Sequence, residues 1–297
     1  ADEITAVRGT QEGMAHLGMA ILNPGDVVLL PDPGYPVFEA GSYLGGAEVY
    51  YYPLLRENNF LPVIEDIPED VLNKTKYIVL SYPSNPVGAS APKEMYVRMI
   101  EYAKKYNFAI INDNAYSDII FDGREGFSFL SLPGAKDVGV EFFSLSKSYN
   151  VTGLRISFCI GNKSIIDAFK LLRSQYDFGM SYPAQKAAIA ALRGPRDSVK
   201  AQCAEYQRRR DALLNGLRKY GWNVPDSHGT MFVWLPVPEG YTSASFTEAL
   251  MDKAGVIGTP GTAFGPLGEG YIRFALTKSA EELAVIADVI GQSGVLS

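Results

Sequence analysis

Ser144-Leu145-Ser146-Lys147-Ser148-Tyr149-Asn150-Val151-Thr152-Gly153-Leu154-Arg155 sets one lysine between hydroxyls and follows it with an arginine. The preceding Val140-Glu141-Phe142-Phe143 reads as a buried strand, so Lys147 falls at a strand end, where small polar residues interrupt the apolar pattern. Burial or a neighbouring cation lowers the pKa of such an amine, and the neutral amine can hold an aldehyde as a Schiff base. Ser144, Ser146 and Arg155 are donors suited to a nearby phosphate, with arginine supplying a planar fork. The same stretch is also compatible with an ordinary surface loop.

Two further runs end in the same way. Ala109-Ile110-Ile111-Asn112-Asp113-Asn114-Ala115-Tyr116 is apolar up to a carboxylate, with a tyrosine close behind. A carboxylate at a strand end can pair with a protonated ring nitrogen and keep a pyridine protonated, which makes the ring of pyridoxal phosphate an electron sink. Tyr77-Ile78-Val79-Leu80-Ser81-Tyr82-Pro83-Ser84-Asn85-Pro86-Val87-Gly88 is a third strand ending in an Asn-Pro turn. Asn85 and Tyr116 can both hydrogen-bond a phenolic oxygen.

In this order the segments resemble the pyridoxal-phosphate-dependent aminotransferases of class I/II, fold type I, in the branch that includes LL-diaminopimelate and alanine aminotransferases. The resemblance runs over essentially the whole chain. It implies that Lys147 is the Schiff-base lysine, Asp113 the pyridinium partner, and Asn85 and Tyr116 the partners of the cofactor's 3-oxygen. Ser144, Ser146 and Arg155 would bind its phosphate, together with the turn Arg8-Gly9-Thr10-Gln11-Glu12, where Gly9, Thr10 and Gln11 open a helix. Tyr35, in Asp32-Pro33-Gly34-Tyr35-Pro36, matches the aromatic residue that stacks on the ring. Arg273, in Gly270-Tyr271-Ile272-Arg273-Phe274-Ala275-Leu276, matches the arginine that binds the substrate α-carboxylate, beside Asn85. The implied fold is α/β: a mostly parallel central sheet flanked by helices, with a smaller C-terminal α+β domain. The implied reaction is transfer of an amino group from an amino acid to a 2-oxo acid, by a homodimer. A β-lyase cleaving C–S bonds on the same fold would share every cofactor contact, and a non-catalytic cofactor-binding module stays open beside it.

Taken singly, each residue has a plainer reading. Tyr35 is a turn aromatic, Arg273 a strand-face charge, Asn85 a turn residue and Thr10 a helix cap. A family chain carries a portion ahead of the Gly-rich turn, which here begins at residue 9. The expectation is therefore a shortened chain in which cofactor binding outlasts turnover.

Composition agrees with a globular enzyme. At 297 residues and 47% hydrophobic content, two domains are expected, divided at 195/196: residues 1–195 for the cofactor and 196–297 behind a linking helix from Arg196 to Tyr220. Helices are expected at Thr10–Leu22, Tyr35–Leu44, Pro92–Tyr106 and from Ser279 onward, and strands at Val27–Leu30, Val49–Leu54 and Met231–Leu235. A net charge of −6 gives no footprint for nucleic acid, and Arg208-Arg209-Arg210 reads as one solvated helix face, with pairing across an interface as the alternative. Two cysteines suit the cytoplasm. No apolar stretch is long enough to span a bilayer, and His16 and His228 suggest no metal site.

Overall fold

The computed structural model describes residues 2–175, 177 and 179–296. Among the described residues ten strands form in chain order: β1 (Ile4–Val7), β2 (Val27–Asp32), β3 (Glu48–Pro53), β4 (Thr75–Ser81), β5 (Ala109–Asp113), β6 (Gly139–Ser144), β7 (Ser157–Gly161), β8 (Phe232–Pro236), β9 (Thr259–Pro260) and β10 (Tyr271–Ala275). Between them run α1 (Thr10–Ile21), α2 (Val37–Gly45), α3 (Glu69–Leu72), α4 (Lys93–Tyr106), α5 (Ala135–Val138), α6 (Leu145–Ser148) and α7 (Lys163–Arg173). The helices α8 (Tyr182–Arg193), α9 (Asp197–Lys219), α10 (Ser243–Ala254) and α11 (Ala280–Gln292) complete the chain.

The larger sheet has the order β1-β7-β6-β5-β4-β2-β3. Only β7 runs against its neighbours; β2, β3, β4, β5 and β6 are parallel. Both faces are covered, which explains runs such as Val27–Asp32 that are buried at every position. Successive side chains feed opposite cores. Leu29, Ile78 and Ile110 pack with Tyr96, Met99 and Ile100 of α4, while Val28, Val79 and Ile111 pack with Leu17 of α1 and Phe169 of α7. Helices α1 and α2 touch where Gly18 faces Gly41, and a Cβ on Gly18 would collide with the Gly41 carbonyl.

The smaller sheet, β8-β10-β9, is antiparallel and sets Arg273 opposite Trp234. Its inner face, with Val233, Leu235, Ile272 and Phe274, packs on Leu213 and Leu217 of α9 and Leu283 and Ile290 of α11. Tyr116 and Phe121 join that same core from the loop after β5. A capping box between Ser279 and Glu282 starts α11.

Two expectations are corrected. Helix α2 starts at Val37 rather than Tyr35, because Pro36 lacks an N–H and disfavours helical backbone at the residue before it. Tyr35 is thereby free to face elsewhere. The arginine run is not one solvated face, since consecutive helix positions point in different directions. Arg208 reaches Glu205 and Glu281 in solvent, whereas Arg210 is buried and grips Asp122 with two nitrogens at 2.7 and 2.8 Å. Both cysteines are free thiols. Among the described residues, no helix is long and apolar enough to cross a membrane, and no group of three His, Cys, Asp or Glu could hold a metal.

Candidate active site

The carboxyl ends of β4, β5 and β6 face one cavity of about 270 Å³, at the position where parallel sheets gather ligands. Its walls include Gly9, Thr10, Gln11, Tyr35, Asn85, Asp113, Tyr116, Ser144, Ser146, Lys147, Arg155 and Arg273, so every site residue singled out in the sequence lies on it. Ser81, Ala115, Thr152 and Phe232 also line it and had not been singled out.

Lys147 sits not on a strand but in the one-turn helix α6, immediately after β6. Ser144 caps that turn, its Oγ accepting from the N–H of Ser146 at 3.1 Å and from Ser157 Oγ at 2.9 Å. Gln202 Nε2 of α9 holds the Lys147 carbonyl at 2.6 Å. Burial lowers the pKa of the Lys147 amine, helped by the nearby Arg155 guanidinium and opposed by Asp113. A larger neutral fraction makes it a better nucleophile and base.

Arg155 adopts a left-handed backbone and turns its guanidinium toward the first turn of α1, donating to the carbonyls of Arg8 at 3.0 Å and Thr152 at 3.1 Å. Gly9, with φ of 104°, leaves the room for it, because a Cβ there would occupy the place of the guanidinium. Thr10 is thus the first residue of α1 and not its cap, which is Gly9. A helix amino end and an arginine therefore converge on one wall, an arrangement suited to an anion.

Asp113 ends β5, 7% exposed, and its Oδ1 has no hydrogen-bond partner. Burial pushes its carboxyl up to about 7, with the charge of Glu141 adding to the rise, and the Ala115 N–H and Lys147 opposing it. Tyr116 is pushed up by burial and by Asp113. Across the cavity, Arg273 donates to Asn85 Oδ1 at 2.8 Å and lies between Phe232 and Phe264, 4.1 and 4.5 Å from their ring centroids. Its Nε is buried without a partner, and burial lowers its pKa.

These residues fit pyridoxal phosphate. The partnerless Asp113 oxygen suits a protonated ring nitrogen, Tyr116 and Asn85 suit a phenolic oxygen, and the serines with Arg155 and the amino end of α1 suit a phosphate. The sheet order and the placement of the cavity define a pyridoxal-phosphate enzyme of fold type I. A family model for aminotransferase class I and II matches residues 1–290, and the chain belongs to that family. It is a pyridoxal-phosphate-dependent enzyme that transfers amino groups, rather than a β-lyase or a non-catalytic cofactor-binding module.

Among its relatives is the LL-diaminopimelate aminotransferase of Dehalococcoides mccartyi (strain ATCC BAA-2266 / KCTC 15142 / 195), 50% identical over 281 residues that make up 95% of this chain and 72% of that protein. The substrate-bound BacF structure from Bacillus subtilis superposes with a TM-score of 0.95 at 36% identity, over 98% of this chain and 75% of that one. A probable N-succinyldiaminopimelate aminotransferase from Thermus thermophilus gives 0.92 at 33% identity, over 98% of this chain and 78% of its own.

Proposed function

We propose that this chain transfers the α-amino group of LL-diaminopimelate to a 2-oxo acid. The partnerless Asp113 oxygen facing one cavity with Lys147 and Arg273 carries the reading of the site, and its likeness to LL-diaminopimelate aminotransferases favours that donor over alanine or aspartate. When bound, pyridoxal phosphate supplies an electron sink for the electrons left at Cα. Lys147 Nζ would hold that group and, as a free amine, would move the Cα proton. Asp113 holds a proton on the ring nitrogen. Asn85 and Tyr116 would hold the 3-oxygen, and Tyr35 would cover the ring. Ser144, Ser146, Arg155 and the N–H groups of Gly9, Thr10 and Gln11 hold the phosphate. Arg273 takes the substrate carboxylate between its two aromatic walls, which fix its fork before substrate arrives.

An assay with LL-diaminopimelate, alanine and aspartate as donors tests the substrate, and LL-diaminopimelate should be used with the highest kcat/KM. A preference for alanine or aspartate would overturn that choice while leaving the site intact. In the same assay Arg273→Lys should weaken substrate binding by about 1.5–3 kcal/mol, because an ammonium cannot replace a bidentate fork. Pyridoxal phosphate affinity should stay near the parent value. Equal KM in parent and variant would return Arg273 to a structural role.

We further infer a cytoplasmic homodimer. Tyr43, Leu44 and Tyr51 expose apolar surface at one side of the larger sheet, whereas Tyr52 of the same tyrosine run turns inward and donates to the Val79 carbonyl at 2.6 Å. Sedimentation should give a dimer at micromolar concentration and fractionation a cytoplasmic protein; a monomer, or recovery elsewhere, would refute the respective half. The division into residues 1–195 and 196–297 is supported by the start of α9 at Asp197, and limited proteolysis confined to the segment near 194–196 checks it.

A further inference from the structure

Strand β6 is apolar except at Glu141, a carboxylate only 4% exposed, and at its closing Ser144. An ionised side chain is costly to bury, and the flanking positions of the strand are filled by Val140 and Phe142. Pairing with β5 sets Glu141 opposite Asn112, next along the chain to Asp113. Its carboxylate oxygens accept from Phe129 N at 2.7 Å, Ser128 Oγ at 2.8 Å and Asn112 Nδ2 at 3.0 Å. Asn114 Nδ2 donates to the neighbouring Phe127 carbonyl at 3.1 Å.

The Phe129 N–H and the Asn112 amide nitrogen are fixed as donors. Asn112 Oδ1 is engaged by Tyr96 Oη at 3.1 Å, which turns its amide nitrogen toward Glu141. Ser128 Oγ already accepts from Leu130 N at 3.2 Å, so its own proton is left for Glu141. Burial raises the Glu141 pKa overall, while the bonds from Ser128, Asn114, Asn112 and the Phe129 N–H pull toward the charged form.

We propose that Glu141 is a positioning residue of the cofactor site: an ionised buried carboxylate that pins Asn112, the β5 neighbour of Asp113, to Ser128 and Phe129 and sets a second negative charge near Asp113. Asp113 then presents its partnerless oxygen to a protonated ring nitrogen against a background that favours that proton. The inference rests on the reading of Asp113 as the ring-nitrogen partner. Asp113 is faced by Glu141 from β6, Lys147 from α6, Tyr96 from α4 and Tyr116 from its own loop. Of these, Glu141 raises the proton affinity of Asp113 and Lys147 lowers it.

Carboxyl carbon NMR titration of the cofactor-free protein tests the proposal, with Glu141→Gln as the variant. Glutamine keeps the shape: its carbonyl can accept from Phe129 N and Asn112 while its amide donates to Ser128 Oγ. The parent should show Glu141 losing its proton at lower pH than Asp113, with the Asp113 resonance responding to that first step. In Glu141→Gln the acid dissociation constant of Asp113 should rise about tenfold, as expected for removing one partly screened charge nearby. An unchanged Asp113 titration in a variant that unfolds at the parent temperature overturns the proposal. So does a parent in which Glu141 is still protonated at pH 7, or in which its ionisation leaves Asp113 unmoved, whether or not the variant folds. None of these readings depends on the bound cofactor, so they fail separately from the assignment of Asp113 to the ring nitrogen.

Discussion

Lys147→Ala is expected to lose amino transfer by on the order of 10⁴-fold or more, since one amine both anchors the cofactor and moves the Cα proton. Folding should not suffer. Burial and Arg155 already disfavour the charged amine, so its removal relieves a strained electrostatic position rather than breaking a stabilising pair. The phosphate wall built from Arg155, Ser144 and the amino end of α1 remains, so the variant should still take up pyridoxal phosphate. Borohydride should then separate the two proteins: in the parent it fixes the cofactor to the peptide containing Lys147, and in the variant it fixes none. Reduced adduct on another lysine, or a variant retaining more than about one hundredth of the parent rate, would dismiss the assignment, because general acid–base groups alone supply about 10²–10⁴-fold.

The sequence announces this site because its chemistry sits where hydrophobic runs stop. Asp113 ends, and Lys147 and Asn85 closely follow, a strand buried on both faces, and the periodicity that marks the strand also marks its end. Arg273 and Tyr35 were legible only through family resemblance, since a charge in an alternating strand and a tyrosine beside Pro-Gly have commoner explanations. Phe232 and Phe264 escaped notice because their importance is relational. They matter as the two faces of a clamp on Arg273, and they stand 32 positions apart in the chain. Glu141 did carry a signal, a lone charge inside an apolar strand, but its partners come from Ser128, Phe129 and Asn112, which only the fold assembles. The arginine run failed for a related reason. Its composition suggests solvent, yet one member faces Asp122 on another part of the chain, and helix geometry lets adjacent residues meet different surroundings.

Asp113→Asn should have two opposite consequences, and their pairing is diagnostic. Catalysis should fall by about 10²–10⁴-fold at the deprotonation step, because an amide cannot hold a proton on the ring nitrogen and the ring is then a poorer electron sink. Stability of the cofactor-free protein should rise at neutral and higher pH. Burial pushes the folded-state Asp113 up to about 7, above its value of about 3.9 in an unfolded chain. Between those values the folded state binds the proton that the unfolded state has released, so this group's contribution falls as pH rises through the window and is lost above about 7. The asparagine variant has no such proton. Relative to it, the parent should lose on the order of 2–3 kcal/mol between pH 5 and pH 8. Urea unfolding of both proteins at those two pH values, without pyridoxal phosphate, measures the difference. A parallel pH dependence in parent and variant would mean that Asp113 is already ionised at low cost in the empty site, and substrate α-hydrogen exchange near the parent rate would remove it from catalysis. If both effects appear together, Asp113 is a carboxylate kept at an energetic disadvantage for its cofactor, and binding of the cofactor should abolish the excess pH dependence by supplying the positive charge its oxygen lacks.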